Sequence, residues 1–383
     1  MKICLIAVIF FLYTAQADTE FSSIKADTNT CYRYYCKTSG QSFSKGQCGL
    51  KELSSDGRYN VYASPTCSEK EACAIGATSG DTTTYTCQSN VVTGYKWPGE
   101  KCDNSDMCNP TYSSGCKDSR CLGSGDQEEC IDHNYCLPGY YCLGYNSTTK
   151  GTCQKQIETN GYDCAEDYDC VNNAWCNVTN VVTKNLCFSF GSFAEHAYVS
   201  TCSNSQNFLC SSGYCFAKEG TGHYQCSKNL TSAQPNSLPN TCDLEGQFCQ
   251  STPDEYFSAN AFAEEPCACA YNQAGSLYCP LFYGDTPVIQ YFTQLKKWLN
   301  SEESKKCNTI RRNSAVCIKD FWDSDNYNKL VYYNAYYEYF ANIQGAESCV
   351  LKTFLTEFYE AKKAYEDSSA EILIVTALIA SLF

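Results

Sequence analysis

The chain contains thirty-one cysteines in 383 residues, and their chemical state decides what it can fold into. They are metal ligands, reactive thiols or disulfides, and each state belongs to a different compartment. The N-terminus answers first. Residues 1–17, MKICLIAVIFFLYTAQA, carry one early cation (Lys2), an apolar run from Ile3 to Tyr13 and a small-x-small site at Ala15-Gln16-Ala17. That is the pattern of a secretory signal cut before Asp18, and the run is too short to span a bilayer. Removing Cys4 with the leader leaves 30 cysteines, an even number. In an oxidising compartment such a density reads as a disulfide scaffold. Zinc fits poorly, because there is no C-x2-C pair and the histidines are only three, His133, His196 and His223.

The spacing repeats. CAEDYDCVNNAWCNVTNVVTKNLC, Cys164 to Cys187, is C-x5-C-x5-C-x10-C, and CIDHNYCLPGYYCLGYNSTTKGTC, Cys130 to Cys153, has the same spacing. Cys102 to Cys121 varies it to x5, x7, x4, and Cys202 to Cys226 to x7, x4, x10. Two shorter relatives with three cysteines each start at Cys31 and Cys67. A short period of this kind signals an array of small units. None has enough aliphatic residues for its own core, so bridges substitute for it, at about 3 kcal/mol for a loop of about 15 residues in the chain-entropy model. Four cysteines permit three connectivities, and the spacing leaves all three open.

The acidic C-x5-C-x5-C followed by x10 and a fourth cysteine, in Cys164–Cys187 and Cys130–Cys153, resembles the opening of the Dickkopf N-terminal cysteine-rich domain. The resemblance implies first-to-third and second-to-fourth pairing: Cys130 with Cys142, Cys136 with Cys153, Cys164 with Cys176, and Cys170 with Cys187. This chain repeats the motif in tandem and lacks the further cysteines that complete that domain, so Wnt-directed inhibition is not carried over. The layout as a whole is similar to ciliate cysteine-rich surface proteins, which implies display at the cell surface.

Beyond Cys226 the character changes. Residues 227–241, rich in Ser, Asn and Pro, read as a linker. The second domain, 242–367, opens with five cysteines (Cys242, Cys249, Cys267, Cys269, Cys279), of which Cys267-x-Cys269 reads as adjacent disulfide partners. Thr286-Pro287 is an N-cap and first-turn pair. Three stripes at helical spacing follow: Val288, Phe292, Leu295, Leu299; Leu330, Tyr333, Tyr337, Phe340; and Val350, Phe354, Phe358, Ala361, Tyr365. The Tyr stripe reads as core. Cys307, Cys317 and Cys349 make an odd group of three. If the repeats of 18–226 close among themselves, an odd number of bridges must join 242–279 to 307–349.

The fold expected is therefore an array of small disulfide-rich repeats with little regular secondary structure beyond short β-hairpins, then a disulfide-linked α-helical subdomain. Chemistry is sparse. There is no phosphate loop, no Gly-x-Ser-x-Gly elbow and no paired-histidine metal helix. Asp323 to Asn328 starts like a calcium loop but lacks the glycine at position six and the glutamate at position twelve. Glu166, Asp167 and Asp169 read as a solvated acidic loop. No cofactor, metal or catalytic residue is expected. A net charge of −14 disfavours nucleic acid and anionic lipid headgroups as partners. An extracellular protein or glycan is the partner expected, and three sequons at Asn146, Asn177 and Asn229 suit an exposed surface. Residues 368–383 pair small residues (Ser368, Ser369, Ala370) with an apolar run, Ile372 to Phe383, matching a glycosylphosphatidylinositol attachment signal with Ser368 as the attachment residue. The reading is a displayed or binding protein on the extracellular face of the cell membrane. A released Dickkopf-like ligand is the alternative, then a secreted hydrolase.

Overall fold

The computed structural model describes residues 31–380 apart from 69–70, 90–94, 179–184, 200–201, 203–207, 219–222, 235–237, 243–247 and 259–260, with side chains given through 368. The leader of residues 1–17 lies outside the described residues. Fifteen disulfides pair all thirty cysteines from Cys31 to Cys349.

The first two cysteine groups are not small repeats. They form one five-stranded sheet from β1 (Arg33–Cys36), β2 (Gln47–Leu53), β3 (Tyr59–Ala63), β4 (Glu71–Ser79) and β5 (Thr82–Ser89), in the order β1-β3-β2-β5-β4. Only β1 and β3 run parallel. Alternating Thr and Tyr in β5 (TTTYTCQS) suit a pleated, half-buried surface. Cys48–Cys73 and Cys67–Cys87 staple the sheet, while Cys31 and Cys36 leave it for Cys269 and Cys349.

Four units between Lys96 and Cys226 share one backbone plan. The amides of Lys96, Ser124, Ile157 and Phe193 donate to the carbonyl just before each second cysteine, at 2.7–2.8 Å. Their carbonyls accept from the residue just after it. Three residues on, Gly99, Gln127, Asn160 and His196 all have positive φ (84°, 63°, 66° and 65°), and each donates its N–H to the carbonyl of the unit's fourth cysteine. The third and fourth cysteines face each other across a hairpin in every unit: Cys116 and Cys121, Cys142 and Cys153, Cys176 and Cys187, Cys215 and Cys226. In the first three units an acidic residue or Asn (Asn104, Asp132, Glu166) opens a single 3-10 turn. Asn104 and Asp132 favour this position because a short side-chain oxygen accepts the next free amide, of Asp106 and Asn134, whereas in the third unit Asp169 accepts the amides of Ala165 and Glu166.

The helices are α1 (Thr286–Leu299), α2 (Ala315–Phe321), α3 (Ser324–Glu338), α4 (Ser348–Phe354) and α5 (Thr356–Ala380). The α1 cap is Asp285, one residue before the expected Thr286, and α1 buries Val288, Tyr291, Leu295, Trp298 and Leu299. The third expected stripe is split at Leu355 (φ −125°, ψ 50°), so that α4 and α5 diverge. Tyr332, Tyr333, Tyr336 and Tyr337 of α3 are half-buried in aromatic contacts, with Tyr332 stacked on Tyr365 at 4.5 Å.

These helices share their buried faces with the β elements. Trp298, Leu299 and Ile318 share one core with Trp175, Phe190 and Leu209 of the array. Val350 and Phe354 of α4 pack on Tyr34, Val61 and Tyr85 of the sheet. Gly49 of β2 makes this approach possible, since a Cβ there would lie 2.9 Å from Phe354 Cζ. The segment between α1 and α2 runs along three array units in turn. Arg311 pairs with buried Glu100 (Nε–Oε1 3.2 Å) and lies over Trp97 of the first. Asn308 Nδ2 donates to the carbonyls of His133 (3.2 Å) and Cys136 (2.6 Å) of the second. Thr309 donates to Tyr168 O, and Arg312 to Asp167 O and Ala174 O, of the third.

Three expectations need correcting. No disulfide joins 242–279 to 307–349 among the described residues: Cys307 bonds Cys317, and the odd cysteines Cys269 and Cys349 are taken by Cys31 and Cys36. The repeats do not close among themselves, because the N-terminal sheet reaches across to the end of the chain. Residues 227–241 are not a free linker where they are described. Leu230 is fully buried, and Ser232 donates both N–H and Oγ–H to buried Asp285.

Candidate functional site

A cavity of about 580 Å³ opens between α2, α3 and α5. Its position follows from two chain reversals. The chain leaves α2 through Trp322 in extended conformation (φ −94°, ψ 155°). Asp323 then caps α3, accepting the Asn326 N–H at 3.0 Å. On the other side, Tyr332 with Tyr365 and Tyr336 with Phe358 hold α3 against α5. The small side chains of Ala335, Ala361 and Ala364 border the gap.

Trp322, Tyr327 and Val331 give the lining its apolar part, while Glu338, Glu357 and Glu360 supply three carboxylates beside one cation, Lys319. Burial pushes the Tyr327 phenol up, and the charges of Asp320 and Glu357 add to that. The phenol thus remains a hydrogen-bond donor. About 300–1,000 Å³ is the usual size of a ligand cavity. A lining that is part apolar and part carboxylate suits a group that is cationic at one end and greasy at the other. Ser324 also lines the cavity, with no histidine among the lining residues to activate it.

Of the stretches singled out from sequence, Asp323 to Asn328 gives Ser324, Tyr327 and Asn328 to this cavity, while the cysteine quartets, the histidines and the sequons lie elsewhere. Cys130–Cys142, Cys136–Cys153, Cys164–Cys176 and Cys170–Cys187 are bonded, as are Cys102–Cys116, Cys108–Cys121, Cys202–Cys215 and Cys210–Cys226. Several trios of their sulfurs lie within 4.8 Å, yet sulfur in a disulfide is not a thiolate ligand. Cys267 and Cys269 bond Cys242 and Cys31, not each other. Asp323 to Asn328 is the start of α3 rather than an ion-binding loop.

His133 and the acidic trio come together at the joint of two units. The His133 ring is 2% exposed. Its Nδ1 accepts the Cys142 N–H at 3.1 Å, which places the ring proton on Nε2, facing Glu166 Oε1 at 2.8 Å. Glu166 also accepts from the Tyr145 hydroxyl, Asp169 from the amides of Ala165 and Glu166, and Asp167 from that of Cys176. Every one of these groups is spent on holding backbone or a neighbouring unit. The trio is thus a structural joint, not the solvated loop expected. His196 stacks on Tyr256 at 3.6 Å, and the His223 side chain lies outside the described residues.

Asn146 and Asn229 are exposed. Asn177 is not: it is 8% exposed, because it closes the hairpin strand Ala174–Asn177 opposite Leu186. Its burial departs from the exposed surface expected of the sequons. Ser368 sits within α5, its hydroxyl donating to Tyr365 O at 2.9 Å, and the side chains of the apolar run lie outside the description. No helix among the described residues is long and apolar enough to cross a membrane. Sequence reading missed the cavity, since only the tertiary crossing of α2, α3 and α5 brings Trp322 near Glu357. Comparison with protein families, with curated proteins and with solved structures gives no match to this chain.

Proposed function

We propose that this heavily disulfide-bonded chain is an extracellular binding protein held at the cell surface by a C-terminal lipid anchor. We further propose that the α2–α3–α5 cavity receives a basic, part-apolar segment of a partner protein. The cavity carries the reading: three carboxylates and the rings of Trp322 and Tyr327 in one lining, on a heavily disulfide-bonded body, suit a cation with an apolar stem. The net charge of −14 supports the same choice of partner, because it steers basic surfaces inward over a Debye length. The Dickkopf-like spacing of the quartets is in keeping with recognition rather than catalysis. The small residues Ser368 to Ala370 ahead of the apolar run support the anchor. Tyr365, which stacks on Tyr332 of α3, precedes Ser368, so cleavage after Ser368 leaves that contact in place.

Two measurements test this. Phosphatidylinositol-specific phospholipase should release the protein from intact cells; retention after treatment, or secretion without it, refutes the anchor. A synthetic peptide alternating Lys and Leu should bind the purified chain with an affinity that falls with salt. The double substitution Glu357→Gln, Glu360→Gln should weaken it about tenfold, a loss of about 1.4 kcal/mol. Equal affinity in that variant removes the cavity from the proposal.

A further inference from the structure

A second cavity, of about 230 Å³, lies where the fourth array unit meets α1, and Asn229 is on its rim. Its walls are Phe190, Phe208, Tyr283 and Phe292, with Ile289 39% exposed at the mouth. Gly213 (φ 70°) lets Tyr283 lie against the backbone, since a Cβ there would meet Cδ1 at 2.9 Å. Phe190 is buried, while Phe208, Tyr283 and Phe292 are part-exposed beside a glycosylation sequon, Asn229-Leu230-Thr231.

The sequon is held rigidly. Leu230 is fully buried, its carbonyl accepts the Gly284 N–H at 2.7 Å, and Ser232 is tied to Asp285. Asn229 itself remains exposed. A sugar attached to it starts from a fixed point at the edge of the aromatic walls, so its ordering costs little. The faces of a pyranose ring carry C–H groups and its edge carries hydroxyls. The first matches the aromatic walls and the second the lining Thr293 hydroxyl oxygen, whose proton goes to Ile289 O, and the Lys296 ammonium, which has donors left beside its 3.4 Å contact with Gly191 O. A cavity of this size is below the usual range for a free ligand of about 300–1,000 Å³ and holds one ring rather than a chain.

We infer that this groove seats the first N-acetylhexosamine of the chain's own N-glycan on Asn229, covering aromatic surface that the bare polypeptide leaves wet. The inference rests on the modification of Asn229 expected from the sequence, and is independent of the α2–α3–α5 cavity. The covalent step is a transfer. Asn229 Nδ2 displaces the diphosphate from the anomeric carbon of a lipid-diphosphate-linked oligosaccharide and loses one proton. Nothing is oxidised or reduced. It takes place on the nascent chain, before the Thr231 hydroxyl takes up its contact with Thr252 (3.3 Å).

The full chain, secreted from a glycosylating host, tests both parts. Peptide mass mapping should show a glycan on Asn229; an unmodified Asn229 overturns the proposal at its first step. Given the glycan, the Tm of Asn229→Gln should fall about 2–4 °C below that of the wild type. Trimming the wild-type glycan to a single sugar should leave its Tm unchanged. In an Ile289→Ser or Phe292→Ser background the gap should shrink to within error. Ile289→Ser, at a solvent-facing position, serves if Phe292→Ser fails to fold. The amides of Gly191 and Ser212 should exchange more slowly in the glycosylated wild type than in Asn229→Gln. A gap of equal size in all backgrounds, with unchanged exchange, means that the glycan does not seat in the groove.

Discussion

At the scale of residues, the joint between the second and third array units shows what a one-dimensional reading can and cannot see. Glu166, Asp167 and Asp169 are evident as an acidic cluster, and His133 as a histidine without local context. Their meeting is not evident, because it depends on how one 3-10 turn docks on the hairpin of the previous unit. The hydrogen bond from His133 holds the Glu166 carboxyl below the usual carboxylate range, reinforced by the Tyr145 hydroxyl and opposed by burial. A depressed carboxyl contributes stability that is complete above its unfolded value and is lost as pH falls through the folded one. Glu166→Gln has no such term. The wild type should therefore lose more stability than Glu166→Gln between about pH 5 and pH 3, the two curves converging at acid pH. Asp169, pushed up by burial, is pushed further by the Glu166 charge, so the difference between the two curves reports Glu166 together with its effect on Asp169. Denaturant midpoints measured across this range decide it; parallel curves would mean that the bond does not discriminate between protonation states.

Elements were legible where their signal is periodic. The stripe of α1 and the Leu330–Phe340 face appear in the sequence because helical packing imposes its own spacing. The break at Leu355 does not, since α4 turns towards the sheet and α5 towards α3, two directions no local pattern encodes. Least legible is the segment from Ser304 to Arg312, read only as the ground between two stripes. It carries no hydrophobic period, and its role is to supply donors to carbonyls that the array leaves open. Asn172 of the third unit returns the contact, donating to Ser304 O and Cys307 O at 2.7 and 3.0 Å. Asn308 is fully buried, and its amide nitrogen is a donor for the carbonyls of His133 and Cys136. Orphaning a buried acceptor costs about 1–3 kcal/mol. Asn308→Ala should thus lower stability by about 2–4 kcal/mol in urea unfolding, with Asn308→Asp no better, because a carboxylate keeps the cap to the Ile310 N–H but donates nothing. A loss below about 0.5 kcal/mol would show that water replaces these donors.

On the scale of the whole molecule the cysteines divide into two classes. Those of the quartets pair over 12 to 17 residues, so their positions along the chain report local structure. Cys31–Cys269 and Cys36–Cys349 close separations of 238 and 313 residues, and no local spacing could have revealed them. An odd count in each C-terminal group correctly required an outside partner; the error lay in taking the N-terminal groups as self-contained. Beside the first of these bridges the sheet and residues 271–274 meet directly. Tyr34 stacks on Tyr271 at 4.5 Å and its amide donates to Asn272 O, while Arg58 reaches Ala274 O. The two bridges thereby close the covalent path of the chain from the sheet to Cys269 and Cys349. With Cys31–Cys269 intact, the loop closed by Cys36–Cys349 is not 313 residues but the 5 from Cys31 to Cys36 and the 80 from Cys269 to Cys349. A loop of that effective length is worth about 4–5 kcal/mol in the chain-entropy model. Cys36→Ser with Cys349→Ser should lower stability by about that amount. It should open the sheet first, where Val350 and Phe354 lose their tether, while the quartets between Cys102 and Cys226 keep their own bridges. Hydrogen exchange resolves the two: protection should fall in β1–β3 and persist in the hairpins of the array. Uniform loss across both would mean that sheet, array and helices unfold as one unit, with the junction carried by the shared core rather than by the bridges.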